Sequence, residues 1–178
     1  KHTNEYWRNM KDLEYYKSKV VSYTDNKYLS AYNHIVENKP MFIVEYGGGK
    51  STFMITELLN YLDYGGKIIG YESSEYWYNQ HIENGWNKYN NVKLVNVEQV
   101  EWGVRYIHPM EEVQGVDFVI LDGPDLTKFI PYPITTHNLK DIVDYIGQEI
   151  PYFIDGRGGT RSFYKDLGYT TDIGDIKI

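Results

Sequence analysis

Phe42-Ile43-Val44-Glu45-Tyr46-Gly47-Gly48-Gly49-Lys50-Ser51-Thr52 decides how the chain reads. Phe42–Val44 is an apolar run of strand type that ends on Glu45. Three glycines follow. From Ser51 onward Met54, Ile55, Leu58, Leu59 and Leu62 recur at helical spacing. A strand that turns through glycines into a helix lets a ligand approach the backbone closely, because no Cβ stands in the way. The unpaired N–H groups of the helix start then face that ligand. Two further strands end on acidic residues, Glu72 and Asp122. Together the three strand ends predict a site for a nucleotide-like cofactor.

Working outward, strands and helices alternate. Strands are predicted at Phe42–Val44, Lys67–Tyr71, Val92–Val97, Val116–Leu121 and Tyr152–Ile154. Helices are predicted at Thr52–Leu62, Glu75–Trp86, around Leu139–Ile146 and at Arg161–Leu167. Tyr78, Ile82 and Trp86 are expected on the inward face of the second of these. Upstream, Asn4–Val20 and Asp25–Glu37 read as two helices, stopped by Asn38-Lys39-Pro40. Tyr169–Ile178 has room for one or two short strands. This alternation implies βαβ units and a parallel sheet covered on both faces. Right-handed crossovers then bring all strand C-termini to one edge, where ligands bind.

The composition narrows the function. With 178 residues the chain is long enough for one domain with a sizeable core. Its formal charge of −7 and lack of a basic run argue against nucleic acid as the main partner. The absence of cysteine excludes disulfides and thiolate metal sites and fits a reducing, cytoplasmic setting. No apolar stretch is long enough to span a bilayer, so no membrane partner is expected.

Glu45-x-Gly47-x-Gly49 after the first strand, Glu72 after the second and Asp122 after the fourth resemble the class I S-adenosylmethionine-dependent methyltransferases. The resemblance covers roughly residues 40 to 160. It implies an α/β fold of Rossmann-like, three-layer αβα type with a mostly parallel, twisted sheet. Residues 1–178 would form one domain, with residues 1–40 as an N-terminal helical addition and 41–178 as the core. It implies S-adenosyl-L-methionine as cofactor and an unidentified small-molecule acceptor. Glu45, Tyr46, Gly47, Gly48, Gly49 and Ser51 would lie along the methionine end. Glu72 and Ser73 would hold the ribose, Val97 and Glu98 would lie by the adenine, and Asp122 would border the reacting methyl group. The chain departs from the family pattern at Ser51, where a third glycine often stands. Its C-terminal edge is also short for the usual closing hairpin.

Asp122 is the first candidate base by position, and Asp155, after the fifth strand, is the second. His137 lies on the connection into the next helix, on the same expected edge. Arg157, in Gly156-Arg157-Gly158-Gly159, is a candidate clamp for an acidic substrate group. Some small O-methyltransferases hold a divalent metal with carboxylates at these two strand ends and an adjacent Asn. Gly156 stands in the place of that Asn, so no metal is expected. Two rival readings stay open. Gly47–Ser51 ends like a phosphate-binding loop, although Val44 occupies the position of its first glycine. A NAD-type fingerprint would require glycine at Thr52. A methyltransferase-like binding protein without catalysis is a third alternative.

Overall fold

The computed structural model describes residues 28–129 and 135–175. The helix expected over Asn4–Val20 and the Pro-rich stretch Ile130–Ile134 lie outside the described residues.

A five-stranded sheet organises the chain. Its strands are β1 (Phe42–Tyr46), β2 (Lys67–Glu72), β3 (Val92–Leu94), β6 (Phe118–Leu121) and β8 (Tyr152–Ile154), in the spatial order β3-β2-β1-β6-β8. Every pairing in it is parallel. Successive side chains on a strand point to opposite faces, and this alternation divides the core in two. Ile43, Phe118, Ile120 and Phe153 face one side, where they meet α1 (Leu29–Asn38) and α2 (Lys50–Leu62). Val44, Tyr46, Val119, Leu121, Tyr152 and Ile154 face the other. There they meet Leu139 and Ile142 of α4 (Asn138–Ile146) and Tyr164 of α5 (Gly158–Asp166). The sheet is thus flanked by helices on both faces.

The strand order reverses between β1 and β6. Chain leaving β1 turns toward β2, and chain leaving β6 turns toward β8, so a crevice opens at their C-terminal ends. Close backbone contact shapes that crevice. A Cβ on Gly47 would lie 2.4 Å from the Gly123 nitrogen, and Gly47 also has φ +94°. A Cβ on Gly48 would lie 2.8 Å from Gly70 Cα. These two glycines let the β1 loop settle against the ends of β6 and β2.

Three details differ from the expectations. The strand expected over Val92–Val97 breaks after Leu94. Val97–Val100 is a separate strand, β4, in a second sheet with β5 (Gly103–Tyr106) and β7 (Thr135–Thr136), ordered β4-β5-β7. Helix α3 (Glu75–Glu83) ends before Trp86, and its inward face is not the Tyr78–Ile82 stripe. Ile82 is 52% exposed, and His81 is the buried residue of the helix. Residues 169–175 build no strand pair. They contribute one parallel bridge, Asp172 to Tyr152, and a short 3-10 turn, Ile173–Asp175.

Candidate functional site

A cavity of about 990 Å³ opens at the crevice, within the size range of small-ligand sites. Its floor is the Gly47–Gly49 loop. One wall is the end of β2 with the start of α3. The opposite wall is Asp122–Asp125, Asp155 and Arg157.

The floor is built by hydrogen bonds that use up the loop. The amides of Gly47 and Gly48 both donate to Tyr71 O, at 2.8 and 2.9 Å. The amide of Gly49 donates to Thr52 Oγ1 at 2.9 Å. Thr52 Oγ1 in turn donates to Glu45 Oε2, and Ser51 Oγ donates to Glu45 Oε1. Glu45 is therefore a buried strut under the loop, 0% exposed. Burial pushes its carboxyl above the ordinary range, and the hydroxyls of Ser51, Thr52 and Tyr28 oppose that shift. Thr52, at the position where a dinucleotide fingerprint has glycine, ties the loop to this strut.

On the β2 wall Glu72 Oε1 accepts from the amides of Ser73 and Ser74, both at 2.7 Å. Its Oε2 accepts no hydrogen bond among the described residues. It stands 3.8 Å from His81 Nε2, at the cavity. Trp77 lines the same wall and is 53% exposed. Ser74 caps α3 by accepting from the Trp77 amide. Ser74, Trp77 and His81 thus share one helical stripe, i, i+3, i+7, turned toward the cavity. A Cβ on Gly49 would lie 2.1 Å from His81 Nε2, so this glycine makes room for the imidazole.

The β6 wall carries the titratable groups. Asp122 follows β6 directly, and its Oδ2 is 2.9 Å from Tyr28 Oη. Burial, with the negative charges of Glu45 and Asp155 close by, pushes its carboxyl up to about 8. Asp155 lines the cavity, and its amide donates to Leu121 O. Arg157 Nη2 donates to Asp122 O at 2.7 Å, while its buried Nε has no partner. Tyr106 reaches the cavity from β5, with its hydroxyl beside Gly123. Thr136 Oγ1 donates to Gly123 O at 2.6 Å and fixes that turn from β7.

The structure brings Gly47, Gly48, Gly49, Ser51, Glu72, Ser73, Asp122, Asp155 and Arg157 together around this cavity. Four expected site residues stand apart, each for a stated reason. Glu45 is sealed beneath the loop by its hydroxyl partners. Tyr46 continues β1 and turns under the sheet, where its hydroxyl meets His108 Nε2 at 2.7 Å. Glu98 lies on β4 next to Arg105, at 3.4 Å, while Val97, expected beside it, lines the cavity. His137 precedes α4 and contacts Asp141, which Arg105 holds through two hydrogen bonds. Tyr28, Trp77, His81, Tyr106 and Lys128 are cavity residues that the sequence did not assign to the site.

Among the described residues no group of three or more His, Asp or Glu side chains is arranged to hold a metal ion, and no helix is long and apolar enough to cross a membrane. No family model, curated protein or solved structure matches the chain.

Proposed function

We propose that the chain is an S-adenosylmethionine-dependent methyltransferase with a Rossmann-like core, acting on a small-molecule acceptor. One observation carries this reading. The three glycine amides are spent on Tyr71 and Thr52, while Glu72 keeps an oxygen open at the cavity wall. A phosphate or pyrophosphate needs loop amides as donors. A ribose needs an acceptor for its two hydroxyls. The site therefore suits a nucleoside without phosphates, and S-adenosylmethionine is such a nucleoside. Trp77, half-exposed on the wall beside Glu72, supplies an aromatic face for the base.

The strand order and the reversal between β1 and β6 are compatible with this family's core. The methionine end would run over the glycine loop toward Asp122. Methyl transfer needs the acceptor in line with the sulfonium and held close to it. Asp122 at the β6 end would take the acceptor's proton. The same observation disfavours a phosphate-binding loop or a NAD site, whose phosphates would find these amides occupied.

Calorimetry on the full chain tests the proposal. S-adenosylhomocysteine is expected to bind, and ATP and NAD are not. Magnesium-dependent ATP binding with no heat from S-adenosylhomocysteine would overturn it.

A further inference from the structure

Tyr28 Oη lies 3.0 Å from Glu45 Oε1 and 2.9 Å from Asp122 Oδ2. A phenol has one proton and can donate to only one of these carboxylates at a time. Whichever it leaves undonated faces the phenol oxygen at hydrogen-bond distance. Two oxygens at that distance with no proton between them repel each other. The contact is attractive only if that carboxyl itself carries a proton and donates it to Tyr28. The phenol cannot resolve the conflict by ionising, because burial and both carboxyls push its pKa far above the ordinary value.

Every group facing this trio acts on the balance. Ser51 and Thr52, on α2, donate to Glu45, and His81, on α3, favours its charged form. Asp155, after β8, opposes ionisation of Asp122, and Arg157 favours it weakly. Glu45 thus has the hydroxyl donors that stabilise a carboxylate, whereas Asp122 has a second carboxylate beside it. The proton resides on Asp122.

We propose that Glu45, Tyr28 and Asp122 share one carboxyl proton at neutral pH in addition to the phenol's own, and that a cationic ligand docking against Asp122 expels it. The ligand class follows from the charge. A sulfonium gains from an ionised Asp122, and a neutral thioether does not. The inference therefore rests on the proposed function and extends it. The site senses the charge of the methyl donor, and Glu45, sealed beneath the loop, acts on that preference through Tyr28.

The chemistry balances. On binding of the cation, the Asp122 O–H bond breaks and the proton leaves to solvent. In the transfer step the acceptor oxygen or nitrogen bonds the methyl carbon, and the carbon–sulfur bond breaks with its electron pair kept by sulfur. The acceptor's proton then passes to Asp122. Binding of the donor thus turns Asp122 from an acid into the base that the next step uses, and the neutral by-product leaves it protonated again.

Two measurements on the full chain separate this idea from the reading beneath it. The first needs no ligand and follows the carboxyl resonances of carbon-13-labelled aspartates. One signal, absent from Asp122→Asn, is expected to titrate near pH 8. All aspartates titrating below pH 5 would overturn the shared proton. The second is calorimetry at pH 7 in buffers of different ionisation enthalpy. S-adenosylmethionine should release close to one proton, S-adenosylhomocysteine close to none, and Asp122→Asn none with either. Equal release by both compounds would overturn the expulsion step. Failure of both compounds to bind would overturn the proposed function and expulsion together, and the carboxyl titration would still decide the shared proton.

Discussion

The ends of β1 and β2 present the same sequence feature, a buried strand carrying a glutamate, and put it to opposite uses. Glu45 sits one residue before the end of β1, paired in register with Gly70 and Ile120 inside the sheet. Its carboxylate is enclosed by Ser51, Thr52 and Tyr28. Glu72 is the last residue of β2, and its next neighbours turn away into α3. One of its oxygens takes two backbone amides, and the other is left at the cavity. A single residue of register and three nearby hydroxyls thus separate a structural carboxylate from a cavity-facing one. Acidity at a strand end marks the edge of the sheet. The donors around the carboxylate decide whether it remains available to a ligand.

The largest expected effect breaks the β1 end. Glu45→Ala removes the acceptor of three hydroxyls in a fully buried position. Each lost bond is worth about 1 kcal/mol or more, so a stability loss of about 3 kcal/mol is expected in urea unfolding. A loss below about 1 kcal/mol would show that the carboxylate is not the strut of the loop.

The next effect sharpens the link between Glu45 and its neighbour across the crevice. The Asp122 carboxyl is pushed up to about 8 by burial and by Glu45 and Asp155. In the unfolded chain it ionises near the ordinary aspartate value, about 3.9. Between these values the folded state binds the extra proton, so rising pH favours unfolding. The contribution is full below about pH 4 and lost as pH rises through about 8. Relative to Asp122→Asn, the native protein should lose about 2 kcal/mol or more across that window, read by thermal unfolding at a series of pH values. A difference that is constant with pH, or that grows with it, would contradict the placement of the proton.

The smallest effect isolates the β2 end. Glu72→Ala should leave the fold intact and weaken S-adenosylhomocysteine binding by about tenfold or more, since a bond to a charged acceptor is worth about 1.5–3 kcal/mol. Stability change without affinity change would place Glu72 with Glu45, and the contrast between the two strand ends would fail.

The main sheet was legible because β1, β6 and β8 are short runs buried on both sides, and α2 because its stripe from Met54 to Leu62 is unbroken. The second sheet was hidden. β4 is mostly exposed, and its turn to β5 at Glu101-Trp102 has none of the Asn-Gly chemistry that marks a hairpin. The face of α3 was misread because the spacing of Tyr78, Ile82 and Trp86 suggested burial, whereas Ile82 is 52% exposed and the helix ends at Glu83. The Ser74, Trp77, His81 stripe was present in the sequence, but it has only one buried member, too few for periodicity to mark. Glu45 was given a ligand contact, whereas it lies inside β1, because the hydroxyls that enclose it come from the next helix and from Tyr28. Those partners meet only once the chain is folded. The glycines were also read for ligand approach, and what their missing Cβ atoms admit here is chain: Gly123, Gly70 and His81.

The most direct measurement is an amide NMR titration of the full chain with S-adenosylhomocysteine. The largest shifts are expected at Gly47–Gly49, at Ser73 and Ser74, and at the indole N–H of Trp77, with Val100–Val104 in the second sheet unmoved. No shift at these positions, or loop shifts produced by ATP and not by S-adenosylhomocysteine, would contradict a phosphate-free nucleoside site at the end of β2.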